Sequence, residues 1–173
     1  MAATIRDDQA VSGGSQKDSA LCRGPGALDR RGRVQGPFMR VVLDSNVVIA
    51  AAAARGLCEA VFELCLEHHH IVACEGILLE VGRKLEQKLR LPVAVVEEYQ
   101  RLLRQTAEIL QPHSIKAGLC RDPADEMVRG LVAPGRVEVI ISGDNDLLVL
   151  ERFAEAKIVT PRAFWESMRN DAR

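Results

Sequence analysis

Aromatic residues are scarce in this chain: one Trp, one Tyr and four Phe, 3% of 173 residues. A core must therefore be built from Leu, Val, Ile and Ala, the bulk of an apolar fraction of 47%. An excess of one charge is also missing. With 23 Lys and Arg against 24 Asp and Glu, the formal net charge is −1. No global basic field advertises nucleic-acid binding, so any such surface has to be local. No apolar run approaches the ~18 residues of a membrane span, and the N-terminus lacks the apolar core of a secretory signal. The cysteines Cys22, Cys58, Cys65, Cys74 and Cys120 form no CxxC pair. An odd, scattered set is expected of reduced thiols in the cytoplasm, with no membrane involvement.

What is present begins late. Residues 1–38 are rich in Gly, Ser, Arg and Asp and almost free of periodic apolar positions, a composition expected to stay disordered. Organised sequence starts at Met39, so the natural start is expected there, with 1–38 a dispensable extension. Residues 39–168 are expected to form one domain and 169–173 a short tail.

Within that domain, short apolar runs alternate with helical patterns. "RVVLD", "IVAC", "VEVIISGD" and "KIVTP" are strand-like. "LCEAVFELCLEH" carries Leu57, Val61, Leu64 and Cys65 at helical spacing, and "GILLEVGRKLEQKLR" ends before Pro92. The segment from Pro92 is helical in its middle and is expected to end in an edge strand near Ile109–Leu110. "DPADEMVRGLVA" begins a helix with Pro123 in its first turn. "RAFWESM" is a last helix, with Trp165 expected in the core. The alternation predicts an α/β fold of three layers, with a central, mostly parallel sheet of about five strands flanked by helices.

The two most convincing strands both end in an acid: "VVLDSN" delivers Asp44, and "VIISGDND" delivers Asp144 and Asp146. Ligands of open α/β sheets bind beyond the carboxyl ends of the strands, at the switch point. Glu80, in "ILLEVGRK", and Asp122 and Asp125, in "DPADEM", can join them from helices. Crowded carboxylates repel unless a cation sits among them, and an oxygen-only donor set suits Mg2+ or Mn2+. Each acid alone has an ordinary reading. Asp44 and Asp122 are natural helix N-caps, "SGDND" is a natural turn, and Glu80 alone is a solvated helix residue. The functional reading rests on the combination. The triplet in "EHHHIVAC" is expected to be a polar helix end rather than a zinc site, because three adjacent His cannot all face one ion from a regular helix.

In that order, "MRVVLDSNVVIAA", "ILLEVGRKL", "CRDPADEM" and "VIISGDNDLLVL", closed by "IVTPRAFWE", resemble the PIN domain, the nuclease domain of VapC-like toxins and several RNA-processing enzymes. The resemblance spans about residues 39–168 and is closest to the bacterial PIN-family toxin components. It implies Mg2+-dependent (or Mn2+-dependent) hydrolysis of RNA phosphodiesters by the toxin of a type II toxin–antitoxin pair. Asp44, Glu80, Asp125 and Asp144 correspond to the catalytic metal ligands and Asp146 to an auxiliary one. Asn46, Asp122 and Ser142 correspond to supporting positions, with Asp122 expected to cap its helix. RNA is the implied substrate, an antitoxin the implied partner, and a homodimer is allowed. Arg83, Lys84, Lys88 and Arg90, downstream of Glu80, are candidate phosphate contacts, a solvated basic face being the ordinary reading. The rival reading of residues 1–38 is a basic tail contacting RNA or a partner through Arg23, Arg30, Arg31 and Arg33.

Three other functions share some of these features. A haloacid-dehalogenase-like phosphohydrolase also opens with a strand ending in Asp, but needs a second Asp where Asn46 stands and a Thr where Val48 stands. A receiver domain needs paired N-terminal acids and a late strand-end Lys, whereas "KIVTP" has its Lys at the other end. An inactive module binding nucleic acid or a partner would not need all four acids.

Overall fold

The structure, a computed structural model, describes residues 38–114 and 123–170. Its strands are β1 (Arg40–Leu43), β2 (His70–Ala73), β3 (Glu108–Ile109), β4 (Val139–Ile141), β5 (Arg152–Phe153) and β6 (Ala156–Val159). Its helices are α1 (Ser45–Ala53), α2 (Leu57–His68), α3 (Glu75–Leu89), α4 (Val93–Thr106), α5 (Pro123–Gly130), α6 (Val132–Gly135), α7 (Asn145–Leu148) and α8 (Pro161–Asn170).

The central strands are runs without polar alternation, which a sheet covered on both faces requires. Val41, Val42, Val72, Ile140 and Ile141 are all fully buried. β1 pairs in parallel with β2 on one side, Val41 opposite Ile71, and with β4 on the other, Leu43 opposite Ile141. The sheet order is β3-β2-β1-β4-β6-β5, and only β5 is antiparallel. The chain first builds outward through β2 to β3, then returns to lay β4 against the other side of β1. The switch point therefore lies between β1 and β4, the two strands that end in acids.

The sheet has six strands, one more than expected. The addition is β5, a two-residue hairpin arm on β6, too short to show a period. Its Phe153 ring lies 4.2 Å from the Arg129 guanidinium carbon of α5. The expected edge strand near Ile109 is β3, the outermost strand beyond β2. The Pro134–Gly135 step forms α6, which ends at Arg136 in a left-handed conformation (φ 46°).

α3 places the second acid. Ile77, Leu78, Val81 and Leu85 form its buried stripe. Gly82 lets α4 come close, since a Cβ there would collide with the Gln100 side chain; Gln100 Nε2 donates to Leu78 O at 2.9 Å. α1 packs on α2 and α3, and α5 packs on α3. Helix α3 stops at Leu89, so Arg90 lies just beyond it in a left-handed conformation (φ 53°).

Two sequence expectations need correction. The triplet is not simply a polar helix end: His68 closes α2, His69 is buried as its C-cap residue, and His70 opens β2. The buried aromatic of α8 is Phe164, while Trp165 is only partly buried beside the core. Cys58, Cys65 and Cys74 are free thiols, and burial pushes Cys65 up to about 12. Cys22 and Cys120 lie outside the described residues. No helix among the described residues is long and apolar enough to cross a membrane.

Candidate active site at the strand switch point

Asp44 leaves β1 as the N-cap residue of α1, in extended backbone, yet its side chain makes no cap hydrogen bond. Its carbonyl accepts from Val48 N at 3.2 Å, the first ordinary bond of the helix. The Asp44 amide donates to Ile141 O at 3.0 Å, fastening the strand end to β4. The carboxylate is held across the switch point. Ser142 Oγ donates to Asp44 Oδ2 at 2.8 Å, and Ser45 Oγ lies 3.4 Å from Oδ1. The Ser142 hydroxyl also accepts from the Asp144 amide at 2.9 Å. One buried hydroxyl therefore links both strand-end acids.

Asp144 and Asp146 follow immediately. Asp144 Oδ1 accepts from the Asp146 amide at 2.8 Å, which caps the single turn of α7. Asp144 is partly exposed and Asp146 exposed. One oxygen of Asp144, expected from the sequence in a turn, thus caps a helix.

Glu80 comes from α3. Its Oε1 lies 2.6 Å from Lys84 Nζ, and its Oε2 is buried without a hydrogen-bond partner among the described residues. Lys84 Nζ also donates to Asn46 Oδ1 at 3.1 Å and lies 3.4 Å from Ser45 Oγ. Asp44 is 3% exposed. Burial raises its pKa and the Glu80 charge adds to this, while the Ser142 hydroxyl, the nearby Asn46 amide and Lys84 lower it. Removing a carboxylate from water disfavours its charged form, and a like charge does so again. Asp125 is buried in the first turn of α5, the helix packed on α3. Asp122 lies outside the described residues.

The arrangement brings Asp44, Ser142 and Asp144 into one hydrogen-bonded chain, with Glu80 electrostatically coupled to Asp44. As they stand, no three His, Cys, Asp or Glu side chains among the described residues are gathered closely enough to hold a metal ion. The chemistry of the donors nevertheless fits a hard divalent cation. They are all carboxylates, and one Glu80 oxygen is buried without a hydrogen-bond partner among the described residues. A buried anionic oxygen without a donor is costly unless a cation comes to it.

Of the four basic candidates, Arg83, Lys88 and Arg90 are exposed. Lys84 is not on a solvated face: four residues after Glu80 it stands one turn along the same helix side, where i,i+4 side chains meet, and it turns into the acid cluster. The structure places Lys84, a candidate phosphate contact, against Glu80, Asn46 and Ser45; Ser45 was not among the sequence candidates. The i,i+4 Glu–Lys spacing was a usable signal for Lys84; Ser45 had none.

This site lies in a segment that matches the PIN domain family over residues 40–146, so the chain belongs to that family. Its fold is similar to PAE2754 from Pyrobaculum aerophilum (TM-score 0.51, 13% identity, covering 77% of this chain and 98% of that one). It is also similar to VapBC from Salmonella typhimurium in a DNA-bound crystal structure (TM-score 0.50, 19% identity, 72% and 99% covered). A third is VapBC2 from Rickettsia felis, bound to a DNA fragment from its promoter (TM-score 0.50, 11% identity, 70% and 98% covered). At such identities the likeness is one of fold. No curated protein matches the chain. Family membership leaves the phosphohydrolase and receiver readings without support.

Proposed function

We propose that this chain is a metal-dependent endoribonuclease, the toxin of a type II toxin–antitoxin pair acting in the cytoplasm. The observation that carries the reading is Asp44: a carboxylate buried at the strand switch point, tied through Ser142 to the strand end bearing Asp144, and electrostatically coupled to Glu80, one oxygen of which is buried without a hydrogen-bond partner among the described residues. Asp44, Glu80, Asp125 and Asp144 would hold Mg2+ or Mn2+, with Asp146 auxiliary. When bound, such an ion polarises a phosphoryl oxygen and lowers the pKa of water. Ser142 and Asn46 orient the acids. Arg83, Lys88 and Arg90 are the exposed cations that would meet RNA phosphate near α3. The acidic site repels RNA unless its charge is neutralised, which fits a chain of near-zero net charge. An antitoxin partner is proposed from the likeness to VapBC structures.

The test is incubation of the purified chain with total RNA in Mg2+ or in EDTA, with the cut ends sequenced and a DNA substrate in parallel. Discrete RNA ends that require Mg2+ are expected; EDTA-resistant cleavage, or none, would overturn the reading. Metal binding is checked separately by melting. A ligand that binds only the folded state at ~100 times its Kd adds about 2.7 kcal/mol, or about 5–10 °C for a chain of this size. Mn2+ should raise the melting temperature on that scale, and Asp144→Asn should shrink the rise.

A further inference from the structure

Lys84 is a cation set within the acid cluster. Its ammonium is 2.6 Å from Glu80 Oε1, 3.1 Å from Asn46 Oδ1 and 3.4 Å from Ser45 Oγ. The Lys84 side chain is 17% exposed and that of Glu80 12%. Two of these oxygens belong to the residues directly after Asp44, so one positive charge joins α3 to the corner where β1 becomes α1. Glu80 Oε2 remains buried and, among the described residues, without a hydrogen-bond partner. A divalent ion held jointly by Asp44 and Glu80 competes for the carboxylate that Lys84 now pairs with, and two positive charges on one carboxylate repel each other.

We infer that Lys84 is the internal counter-cation of this site, holding Glu80 against the β1–α1 corner in the metal-free protein and giving way when a divalent cation binds. The inference rests on the proposed metal site at Asp44 and Glu80. Lys84 is thus a positioning residue. It stabilises the metal-free cluster and weakens the site's affinity for metal. An ordinary i,i+4 surface bridge would stabilise α3 slightly, and its loss would leave metal binding unchanged or weaker.

The directions are opposite, so binding of Mn2+ alone to the full chain, followed by calorimetry without RNA, separates them. Lys84→Met keeps the aliphatic stem and removes the charge. It is expected to bind Mn2+ at least about tenfold tighter, 1.4 kcal/mol, and to melt lower than the unsubstituted chain in EDTA. Lys84→Met/Glu80→Gln should lose the gain in affinity and recover the metal-free melting temperature. Lys84→Gln carries the same expectation if the Met variant does not fold. Unchanged or weaker Mn2+ binding by the charge-removed variant, with normal binding by the unsubstituted chain, overturns the role of Lys84 and leaves the metal site standing. Absence of Mn2+ binding in both overturns the inference together with the metal site on which it rests.

Discussion

Asp44→Asn is expected to lower RNA cleavage by about a thousandfold or more while leaving the metal-free protein at least as stable. A metal–carboxylate contact that acts on transition-state charge contributes several kcal/mol, and each 1.36 kcal/mol is tenfold in rate. Stability moves the other way. The Asp44 carboxylate is buried and feels the Glu80 charge, both of which disfavour its own. An amide of nearly the same shape removes the desolvation and the repulsion. Its carbonyl oxygen can still accept from the Ser142 hydroxyl, so the link to the Asp144 amide survives. Cleavage under single-turnover conditions and melting in EDTA should be measured on the same samples. A variant that keeps a tenth of the activity would remove Asp44 from the metal-binding set. A variant that loses activity and also melts much lower would show that its role is to hold the two strands together.

The parts of this molecule that were legible in the sequence are those in which one physical rule acts over several residues. β1 and β4 are short apolar runs with an acid one residue (Asp44) and three residues (Asp144) beyond the strand, and the burial of Val41, Val42 and Leu43 and of Val139–Ile141 follows from that pattern. The stripe of α3 is periodic, so Glu80 could be placed on a helix before its surroundings were known. The switch point between β1 and β4 needed only the order of strands and helices. β5 was illegible because two residues have no period, and its pairing with β6 depends on the intervening turn. The inward turn of Lys84 escaped notice because a Lys on a helix is usually solvated. What draws it in is a carboxylate one turn away and the corner residues Ser45 and Asn46, which are 39 and 38 positions distant in sequence. Trp165 and Phe164 are adjacent aromatics on the last helix, and composition alone could not say which would face the core.

His69 shows what a run of identical residues conceals, and it leads to the second large effect, a loss of stability in mild acid. The ring is 7% exposed and packs edge-on against Phe164, with centroids 5.5 Å apart. Nδ1 lies 3.4 Å from the Met39 amide and accepts from it, which leaves the proton on Nε2, a buried atom without a hydrogen-bond partner among the described residues. Charging the ring would put a second proton on Nδ1, against the Met39 N–H, in apolar surroundings. Burial, and after it the neighbouring His68, holds the pKa down at about 4 against an ordinary 6.5. The unfolded chain therefore takes up a proton here before the folded protein does. The stability that His69 contributes is fully present above pH 6.5 and drains away as pH falls toward 4, in total about 3 kcal/mol. Carboxylates such as Glu108, whose pKa is lowered by its hydrogen bond to Arg40, add their own losses at lower pH, so the comparison has to be made between variants. Urea denaturation of the unsubstituted chain and of His69→Leu at pH 7.5, 5.5 and 4.0 isolates the ring. The Leu variant should differ little at pH 7.5, where it exchanges a weak hydrogen bond for the removal of an unsatisfied N–H. By pH 4.0 it should have gained about 3 kcal/mol on the unsubstituted chain. Parallel stability curves for the two proteins across that range would show that His69 can be protonated without leaving its place.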